Sequence, residues 1–137
     1  MESAGYSGTP LRRKLGFKPG MRVHYAAAPD GFAELLGELP VDVRVLARPA
    51  PQLDLVVLFV LSRSQLERRL AGLHANLRQD GMLWVAWPKR ASKVATDMTE
   101  DVVRDVALPR GLVDVKVCAI DETWSGLKLV IRRELRR

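Results

Sequence analysis

Apolar positions along the chain follow two patterns. Continuous apolar runs are typical of buried strands, and leucines at helical spacing are typical of amphipathic helices. Residues 53–60 form a nearly continuous apolar run, which predicts a central strand covered on both faces. A Ser62–Gln65 capping-box pattern follows, and spaced leucines over residues 66–77 predict one long amphipathic helix that closes at Asp80–Gly81. This strand and this helix form the middle of the predicted fold.

Shorter patterns predict the elements on either side of this pair. Thr9 and Pro10 predict the start of a short helix, and Gly16 is a natural left-handed cap for its end. Residues 121–123 leave room only for a turn, so the last two strands are expected to be antiparallel. The other predicted elements are strands at residues 22–27, 41–46, 82–87, 112–120 and 124–132, a short helix with Phe32, Leu35 and Leu36 on one face, and a helix that begins near Asp97 or Thr99.

Strands that alternate with helices predict a three-layer, Rossmann-like α/β domain with a mostly parallel sheet of about six strands and an antiparallel C-terminal strand. One connection fits this layout poorly. Only residues 47–52 join the second and third strands, whereas a parallel crossover usually needs about a dozen residues. We expect this link to cross the sheet in an extended conformation; the alternative is that the second strand is a marginal edge element.

Composition favours one domain and excludes several classes of protein. Of 137 residues, 47% are hydrophobic and 28% are charged, which is the balance of a globular domain. We expect a flexible N-terminus at residues 1–8 and a single domain at residues 9–137. The longest apolar run is too short to span a bilayer, the first residues lack the features of a signal peptide, and Cys118 is the single cysteine. These features predict a cytoplasmic protein with no membrane contact.

The net charge of +6 raises the question of nucleic acid, because clustered lysines and arginines neutralise phosphates. Along the sequence most basic residues alternate with acids, and only residues 132–137 form a basic run. We interpret this run as a solvated tail; the alternative is a weak contact with an acidic partner. Nucleic acid is therefore not the expected partner, and an exposed sheet edge leaves room for a homodimer.

The order of the elements resembles that of class I methyltransferases, and residues 69–85 are similar to the leucine-rich helix, turn and strand of those enzymes. Two segments carry a second resemblance: SGTPLRRKLGFKPG at residues 7–20 and LWVAWPKRASKVATDMTEDVVRDVALPRGLVDVKVCAIDETWSGLKLVIRR at residues 83–133. They resemble a bacterial family known only as domain of unknown function 3052 (DUF3052). The first resemblance implies a shortened methyltransferase-type fold; the second implies no catalytic residues, because that family has no established activity.

Ligands of open α/β sheets bind beyond the carboxyl ends of the strands, near the switch in strand order. The methyltransferase resemblance implies S-adenosylmethionine there, held over a glycine-rich first loop with an acidic residue at the end of the second strand. Here residues 26–28 are alanines where the leading glycines belong, and Arg44 and Arg48 stand near the expected acid. These departures disfavour S-adenosylmethionine, and we expect no cofactor.

A basic loop follows the predicted fourth strand. Lys89, Arg90 and Lys93 leave a strand end and precede a helix, an arrangement that can hold a phosphate or a carboxylate. The alternative is a solvated loop whose charges pair with Asp97 and Glu100. The ligand-binding residues predicted from this rim are Ala28, Asp30, Gly31, Phe32, Trp87, Lys89, Arg90, Lys93, Asp121 and Trp124.

Acidic residues at the rim have two interpretations. Asp121 and Glu122, with Asp30 across the rim, are candidates for an acid–base pair or a hard-metal site. Adjacent acids in a hairpin are more often turn residues, which is the interpretation that we favour. No catalytic or metal-binding residue is therefore predicted.

The remaining chemically capable side chains are expected to be structural. His24 and His74 have no partner histidines, and Cys118 lies inside an apolar strand as a small buried side chain. Trp84 and Trp87 are three positions apart and should face opposite sides of one strand. Trp87 is a candidate cover for a ring-shaped ligand, with core packing as the favoured alternative.

Together the patterns predict a Rossmann-like domain that binds a small anionic ligand or a protein partner at the strand-end rim, without catalysis. The alternative is an S-adenosylmethionine-dependent methyltransferase with an atypical cofactor loop. Whether the protein is an enzyme stays open at this point.

Overall fold

A computed structural model describes residues 8–137, so the flexible N-terminus predicted at residues 1–8 lies outside the described residues except for Gly8. No helix within the described residues is long and apolar enough to cross a membrane. The helices and strands are α1 (Leu11–Leu15), β1 (Arg22–Ala26), α2 (Phe32–Leu36), β2 (Arg44–Leu46), β3 (Leu53–Phe59), α3 (Arg63–Ala75), β4 (Leu77–Pro88), α4 (Glu100–Ala107), β5 (Leu112–Ala119) and β6 (Trp124–Ile131).

The strands form one six-stranded sheet with the order β2-β1-β3-β4-β6-β5. The first four strands in this order are parallel, and β6 runs antiparallel between β4 and β5. The predicted fold class, a mostly parallel sheet with an antiparallel C-terminal strand, is confirmed. From β1 the chain continues to β2 on one side, and from β3 it continues to β4 on the other. The strand order therefore switches between β1 and β3, where such sheets bind ligands.

Helices cover both faces of the sheet and bury two separate apolar cores. Leu66 and Leu70 of α3 lie in the core on one face, together with residues of α4. Leu15 of α1 and Phe32 of α2 lie in the core on the other face. Burial of each such side chain stabilises the fold by about 1.5–3 kcal/mol, so the two cores hold all four helices against the sheet.

The two tryptophans of β4 face opposite sides, as predicted. Trp84 lies in the α1–α2 core and Trp87 in the α3–α4 core. Trp84 is fully buried, and its indole Nε1 donates a hydrogen bond to the main-chain oxygen of Leu15 over 2.9 Å. This bond fastens α1 to the centre of the sheet. Trp87 is only 6% exposed, so core packing accounts for its position.

The long helix predicted up to Asp80–Gly81 ends earlier than its leucine spacing indicates. α3 ends at Ala75, and β4 begins at Leu77, which pairs with Leu53 of β3. Leu77 is buried in the α3–α4 core as a strand residue, so its helical spacing is coincidental. A Cβ on Gly81 would lie 2.9 Å from the main-chain oxygen of Leu53. Gly81 is therefore a site of close backbone approach within a strand.

Smaller differences concern element boundaries on the other face. β2 has only three residues, because the chain turns at 41–42 with Asp42 in the left-handed region (φ 64°). Pro10, and not Thr9, is the N-cap of α1, whereas Gly16 is the left-handed C-cap as predicted. Leu35 is 44% exposed, because the buried side chains of α2 are the i, i+4 pair Phe32 and Leu36. The 47–52 link bends at residues 47–48 and 51–52 and so is not extended throughout, whereas β2 is a three-residue strand at the sheet edge, as the alternative predicts.

Arg104 connects α4 to β5. Its guanidinium donates hydrogen bonds to Asp114 over 2.9 Å, to Asp101 over 3.1 Å, and to Glu100. The hydrogen bond with Arg104 lowers the pKa of the Asp114 carboxyl. The folded state therefore stabilises the ionised form of the Asp114 carboxyl.

This arrangement predicts a pH-dependent contribution to stability. The folded-state pKa of Asp114 lies below the unfolded value near 4, so its contribution is present above about pH 4 and is lost as the pH falls through the folded pKa. We expect Asp114→Asn to lower the free energy of unfolding at pH 7 and to lower it by less at about pH 3. Urea unfolding at both pH values measures this, with exposed Glu38→Gln as the control. An equal loss at both pH values would contradict the prediction.

Candidate functional site

The loop between β1 and α2, residues 27–31, lies at the switch in strand order. Ala27, Ala28, Asp30 and Gly31 are all exposed. The backbone is left-handed at Ala27 (φ 59°) and at Gly31 (φ 89°). Glycine normally supplies this conformation, so the loop keeps the turn of a glycine-containing loop although alanine stands at one of the two positions.

The same loop offers hydrogen-bond donors to a ligand. The main-chain N–H groups of Ala28, Asp30 and Gly31 have no hydrogen-bond partner among the described residues. A Cβ on Gly31 would meet no atom within 4 Å, so the space beside it is open. Asp30 is the acidic side chain of the loop. Exposed amides beside one carboxylate fit a ligand that carries both an acid group and hydroxyl groups.

Ala27 should store backbone strain that a glycine would relieve. A left-handed alanine costs about 1–2 kcal/mol, and the extra flexibility of an unfolded glycine offsets part of the relief. We expect Ala27→Gly to raise the free energy of unfolding by roughly 0.5–1 kcal/mol, as measured by urea denaturation. Ala47→Gly, at an exposed position without a positive φ, is the control and should lower it. A loss of the same size in both variants would contradict a strained Ala27.

The arginines around β2 oppose cofactor binding less than the sequence indicates. Arg44 is the first residue of β2 and pairs with Arg22 at the amino end of β1, so it lies away from the rim. Only Arg48 follows the carboxyl end of the strand, and no acid stands there. His24 is buried, and its Nδ1 lies 2.8 Å from the main-chain oxygen of Leu46, which makes it structural as predicted.

The polar segment after β4 is fastened over the end of β3. The hydroxyl of Thr96 donates to the main-chain oxygen of Leu61 over 2.6 Å, and the Asp97 carboxylate accepts from the main-chain N–H of Arg63 over 2.8 Å. Met98 is buried in the α3–α4 core. These contacts hold residues 96–98 in place, whereas Arg90 and Lys93 are exposed to solvent, as the alternative of a solvated loop predicts.

The predicted capping box at the start of α3 is present with one shift. Ser62 accepts a hydrogen bond from the main-chain N–H of Gln65 over 3.1 Å, as expected. The side chain of Gln65 accepts from Leu61, one residue before the position that a capping box uses. With Asp97 bound to Arg63, the first amides of α3 are occupied by the protein itself.

A cleft of about 450 Å³ lies between the end of β4 and the start of α4. Lys89 and Arg90 line it, and Lys93 belongs to the same loop. The acids of its wall are engaged elsewhere, Asp97 with the amide of Arg63 and Glu100 with Arg104. Lys89, Arg90 and Lys93 form no ion pair in the part of the chain that the structure describes, so the predicted alternative, pairing with Asp97 and Glu100, is not observed. The charged side chains that line the cleft and lack an ion-pair partner among the described residues, Lys89 and Arg90, are therefore positive.

Two of the predicted ligand-binding residues belong to a row of aromatic rings instead. Phe32 contacts Tyr25 on one side and Phe59 on the other, edge to face, with ring centroids 5.0 and 4.9 Å apart. Trp124 contacts Phe59 in the same way over 5.0 Å. Phe32 is 3% exposed and cannot cover a ligand, whereas Trp124 is half-buried at the rim. The row stiffens the wall behind the first loop.

Asp121 acts as a turn residue, in line with the favoured interpretation. Its Oδ1 accepts hydrogen bonds from the main-chain N–H groups of Thr123 and Trp124, each over 2.8 Å. Among residues 8–137, no group of three His, Cys, Asp or Glu side chains could hold a metal ion. Burial raises the pKa of the Cys118 thiol, which makes it a poor nucleophile.

The predicted site residues thus fall into separate groups. Ala28, Asp30 and Gly31 form the first loop, and Trp87, Lys89 and Arg90 line the cleft. The sequence interpretation missed most of the cleft wall. The polar composition of residues 88–98 was the one sequence signal for this wall. Composition does not tell which of these side chains face the cleft. The further lining residues include Thr96, Met98, Thr99 and Ser125.

No family model matches this chain, and no curated protein sequence matches it. Solved structures do match. A protein from Sulfolobus solfataricus, assigned as a type 11 methyltransferase, is 16% identical with a TM-score of 0.63, over 89% of this chain and 89% of that chain. An S-adenosylmethionine-dependent methyltransferase from Aquifex aeolicus is 17% identical with a TM-score of 0.61, over 88% and 87%. Fibrillarin from Aeropyrum pernix, with natively bound S-adenosyl-L-methionine, is 15% identical with a TM-score of 0.58, over 92% and 70%.

The chain therefore has the Rossmann-like fold of class I methyltransferases. This finding corrects two expectations. A non-catalytic domain was expected as the main interpretation, and no cofactor was expected; both are wrong, because the matched folds are those of methyltransferases and one of them holds S-adenosyl-L-methionine. On the physical side, the alanine that counts against the cofactor in the sequence has a left-handed backbone at Ala27, a conformation that glycine normally adopts. The alternative interpretation, a methyltransferase with an atypical cofactor loop, is favoured.

Proposed function

We propose that this protein is an S-adenosylmethionine-dependent methyltransferase that binds its cofactor over residues 27–31. The observation that carries the proposal is the first loop: exposed, left-handed and rich in unpartnered amides, at the strand-order switch of a methyltransferase fold. In such a protein the cofactor supplies an electrophilic methyl group on a sulfonium centre. The protein supplies binding, orientation and a positive environment for the acceptor.

The residues of the loop fit this cofactor. The N–H groups of Ala28, Asp30 and Gly31 would donate to its carboxylate, and the Asp30 carboxylate would accept from its ribose hydroxyls. Arg48 is the residue nearest in sequence to the position of the missing acid after β2. Asp30 therefore takes over the acidic role in this proposal.

The cleft beside α4 is the proposed site of the methyl acceptor. Lys89 and Arg90 line it without ion pairs, so they favour an acceptor that carries a negative charge. Thr96 and Asp97 are bonded to Leu61 and Arg63, which fixes the side of the cleft next to the end of β3. An anionic acceptor is thus part of the proposal, as a substrate and not as a resident ligand.

Family and location complete the proposal. The resemblance of residues 7–20 and 83–133 supports membership of the bacterial family of domains of unknown function 3052. The single cysteine, buried as a free thiol, agrees with a reducing, cytoplasmic location.

Calorimetry tests the proposal directly. S-adenosylmethionine and S-adenosylhomocysteine, titrated separately into the protein, should bind with micromolar dissociation constants, whereas ATP should not bind detectably. Asp30→Asn should weaken both interactions, with exposed Glu38→Gln as the control. Absence of binding by both S-adenosyl compounds would overturn the proposal.

A further inference from the structure

Four lysines that are distant in the sequence meet on the face of the sheet that α1 partly covers. Lys116 of β5 and Lys128 of β6 are direct cross-strand partners. Lys128 also pairs in register with Trp84, whose indole is bonded to Leu15 at the end of α1. Lys14 directly precedes Leu15. Burial lowers the pKa of Lys128 most, and the nearby charges of Lys116 and Lys18 lower it further. We call Lys14, Lys18, Lys116 and Lys128 the lysine face.

The lysine face is free of acidic partners. None of its four members forms an ion pair within residues 8–137, although the chain has 16 acidic residues. The acids of α4 are paired instead with arginines, as in the cluster around Arg104. The positive charges of the lysine face are therefore not neutralised within the described residues, whereas the acids around α4 are neutralised by arginine.

This arrangement costs stability. Like charges directly opposite each other on antiparallel strands destabilise the pair, by an amount on the order of tenths of a kcal/mol to about 1 kcal/mol. Burial and the neighbouring lysines both lower the pKa of Lys128, which shows that its charge is held against a penalty. A charge cluster that opposes folding is best explained by a ligand that neutralises it.

We propose that the lysine face binds the phosphate backbone of a single-stranded nucleic acid. Lysine ammonium groups are compact point charges that suit phosphates. A protein partner is disfavoured, because lysine is depleted at protein interfaces in favour of aromatic and apolar side chains. A membrane is disfavoured, because α1 and β6 present no exposed large apolar side chain in the described part of the chain, and on β5 only Val115 and Val117 are exposed, which is little apolar surface for insertion.

The positive surface continues from the lysine face to the rim. Lys14, Lys116 and Lys89 all lie close enough to Cys118 to lower the pKa of its thiol, against the larger effect of burial, which raises it. Lys89 also lines the cleft beside α4. Binding itself does not depend on the proposed methyl transfer, because no residue of the first loop takes part.

Fluorescence anisotropy tests the proposal, with labelled single-stranded RNA and DNA of one sequence and about 12 nucleotides. The variant Lys116→Gln/Lys128→Gln is compared with Arg68→Gln/Arg69→Gln, which removes the same charge from the exposed side of α3. We expect the lysine variant to bind roughly ten-fold or more weakly and to lower the slope of log K against log salt by about 1.4, two phosphates at about 0.7 each. The arginine variant should retain wild-type binding.

Two controls keep the outcome unambiguous. Thermal unfolding of the lysine variant should match or exceed that of the wild type, because a like-charge pair is removed. Its affinity for S-adenosylmethionine should be unchanged, which separates this proposal from that of the cofactor site. Lys14→Gln/Lys18→Gln, outside the sheet, should also weaken nucleic-acid binding.

Binding of both nucleic acids, or of only RNA or only DNA, supports the proposal and identifies the source of the phosphates. Three results would overturn it: no binding of either strand at low salt, an equal loss in the lysine and arginine variants, or tighter binding to phosphatidylserine vesicles or polyglutamate than to both nucleic acids.

Discussion

Trp84→Ala should lower the free energy of unfolding by about 4 kcal/mol, the largest effect expected from a single substitution in this chain. Trp84 is fully buried at the centre of β4, and truncation of such a side chain leaves a cavity that the surrounding core fills only in part. The change also removes the donor to the main-chain oxygen of Leu15. Both losses fall on the contact between α1 and the sheet.

Trp84→Phe separates the two contributions. Phenylalanine keeps most of the apolar volume and loses the indole N–H, so the expected loss is about 1–3 kcal/mol. Urea unfolding followed by circular dichroism measures both variants, since the signal does not depend on the fluorescence of the altered residue. Amide hydrogen exchange should become faster in α1 before it does so in α3. A loss below about 1 kcal/mol for Trp84→Ala would contradict the central position of this side chain.

Gly31→Val should abolish measurable binding of S-adenosylmethionine, or weaken it at least about ten-fold, which corresponds to about 1.4 kcal/mol. The φ of Gly31 is 89°, where a β-branched residue is strained, and the new side chain would enter the open space beside the loop. The expected loss has two causes, a shifted backbone and a blocked surface. Calorimetric titration of the variant measures it.

Gly20→Val is the matched control for this substitution. Gly20 has a φ of 78° and also no neighbour within 4 Å, but it precedes β1 at the opposite end of the strand. The two variants should therefore lose a similar amount of stability, about 1–2 kcal/mol, from left-handed strain. Only Gly31→Val should lose the cofactor. Equal affinity of the two variants for S-adenosylmethionine would place the cofactor elsewhere.

The sequence predicted those elements whose signals are local. β3 was predicted because it is buried on both faces, and its apolar run reflects that directly. The start of α4 near Thr99 was predicted from the acids Glu100 and Asp101 that follow, and the structure shows Thr99 as its N-cap, bonded to Val102. The end of α3 was predicted wrongly, because Leu77 satisfies the helical spacing and the strand pairing equally well. Only the tertiary contact with Leu53 decides between them.

The candidate site was less predictable, since it depends on contacts between distant segments. Thr96 and Asp97 meet Leu61 and Arg63 across more than 30 residues of sequence. Arg44 stands only two residues before the end of β2 in the sequence, and only its pairing with Arg22, at the amino end of β1, shows that it lies away from the rim. Ala27 also counted against the cofactor, because the residue type alone does not reveal that its backbone has a positive φ. Backbone conformation and strand register supplied what composition and spacing could not.

Amide NMR spectra of the protein, recorded during titration with S-adenosylmethionine, test the central proposal most directly. If the cofactor binds over the first loop, the largest shift changes should fall on Ala27, Ala28, Asp30 and Gly31, with smaller ones at the ends of β2 and β3. The lysine face should remain unchanged. No shift changes at saturating cofactor, or changes confined to the cleft beside α4, would contradict a cofactor site at this loop.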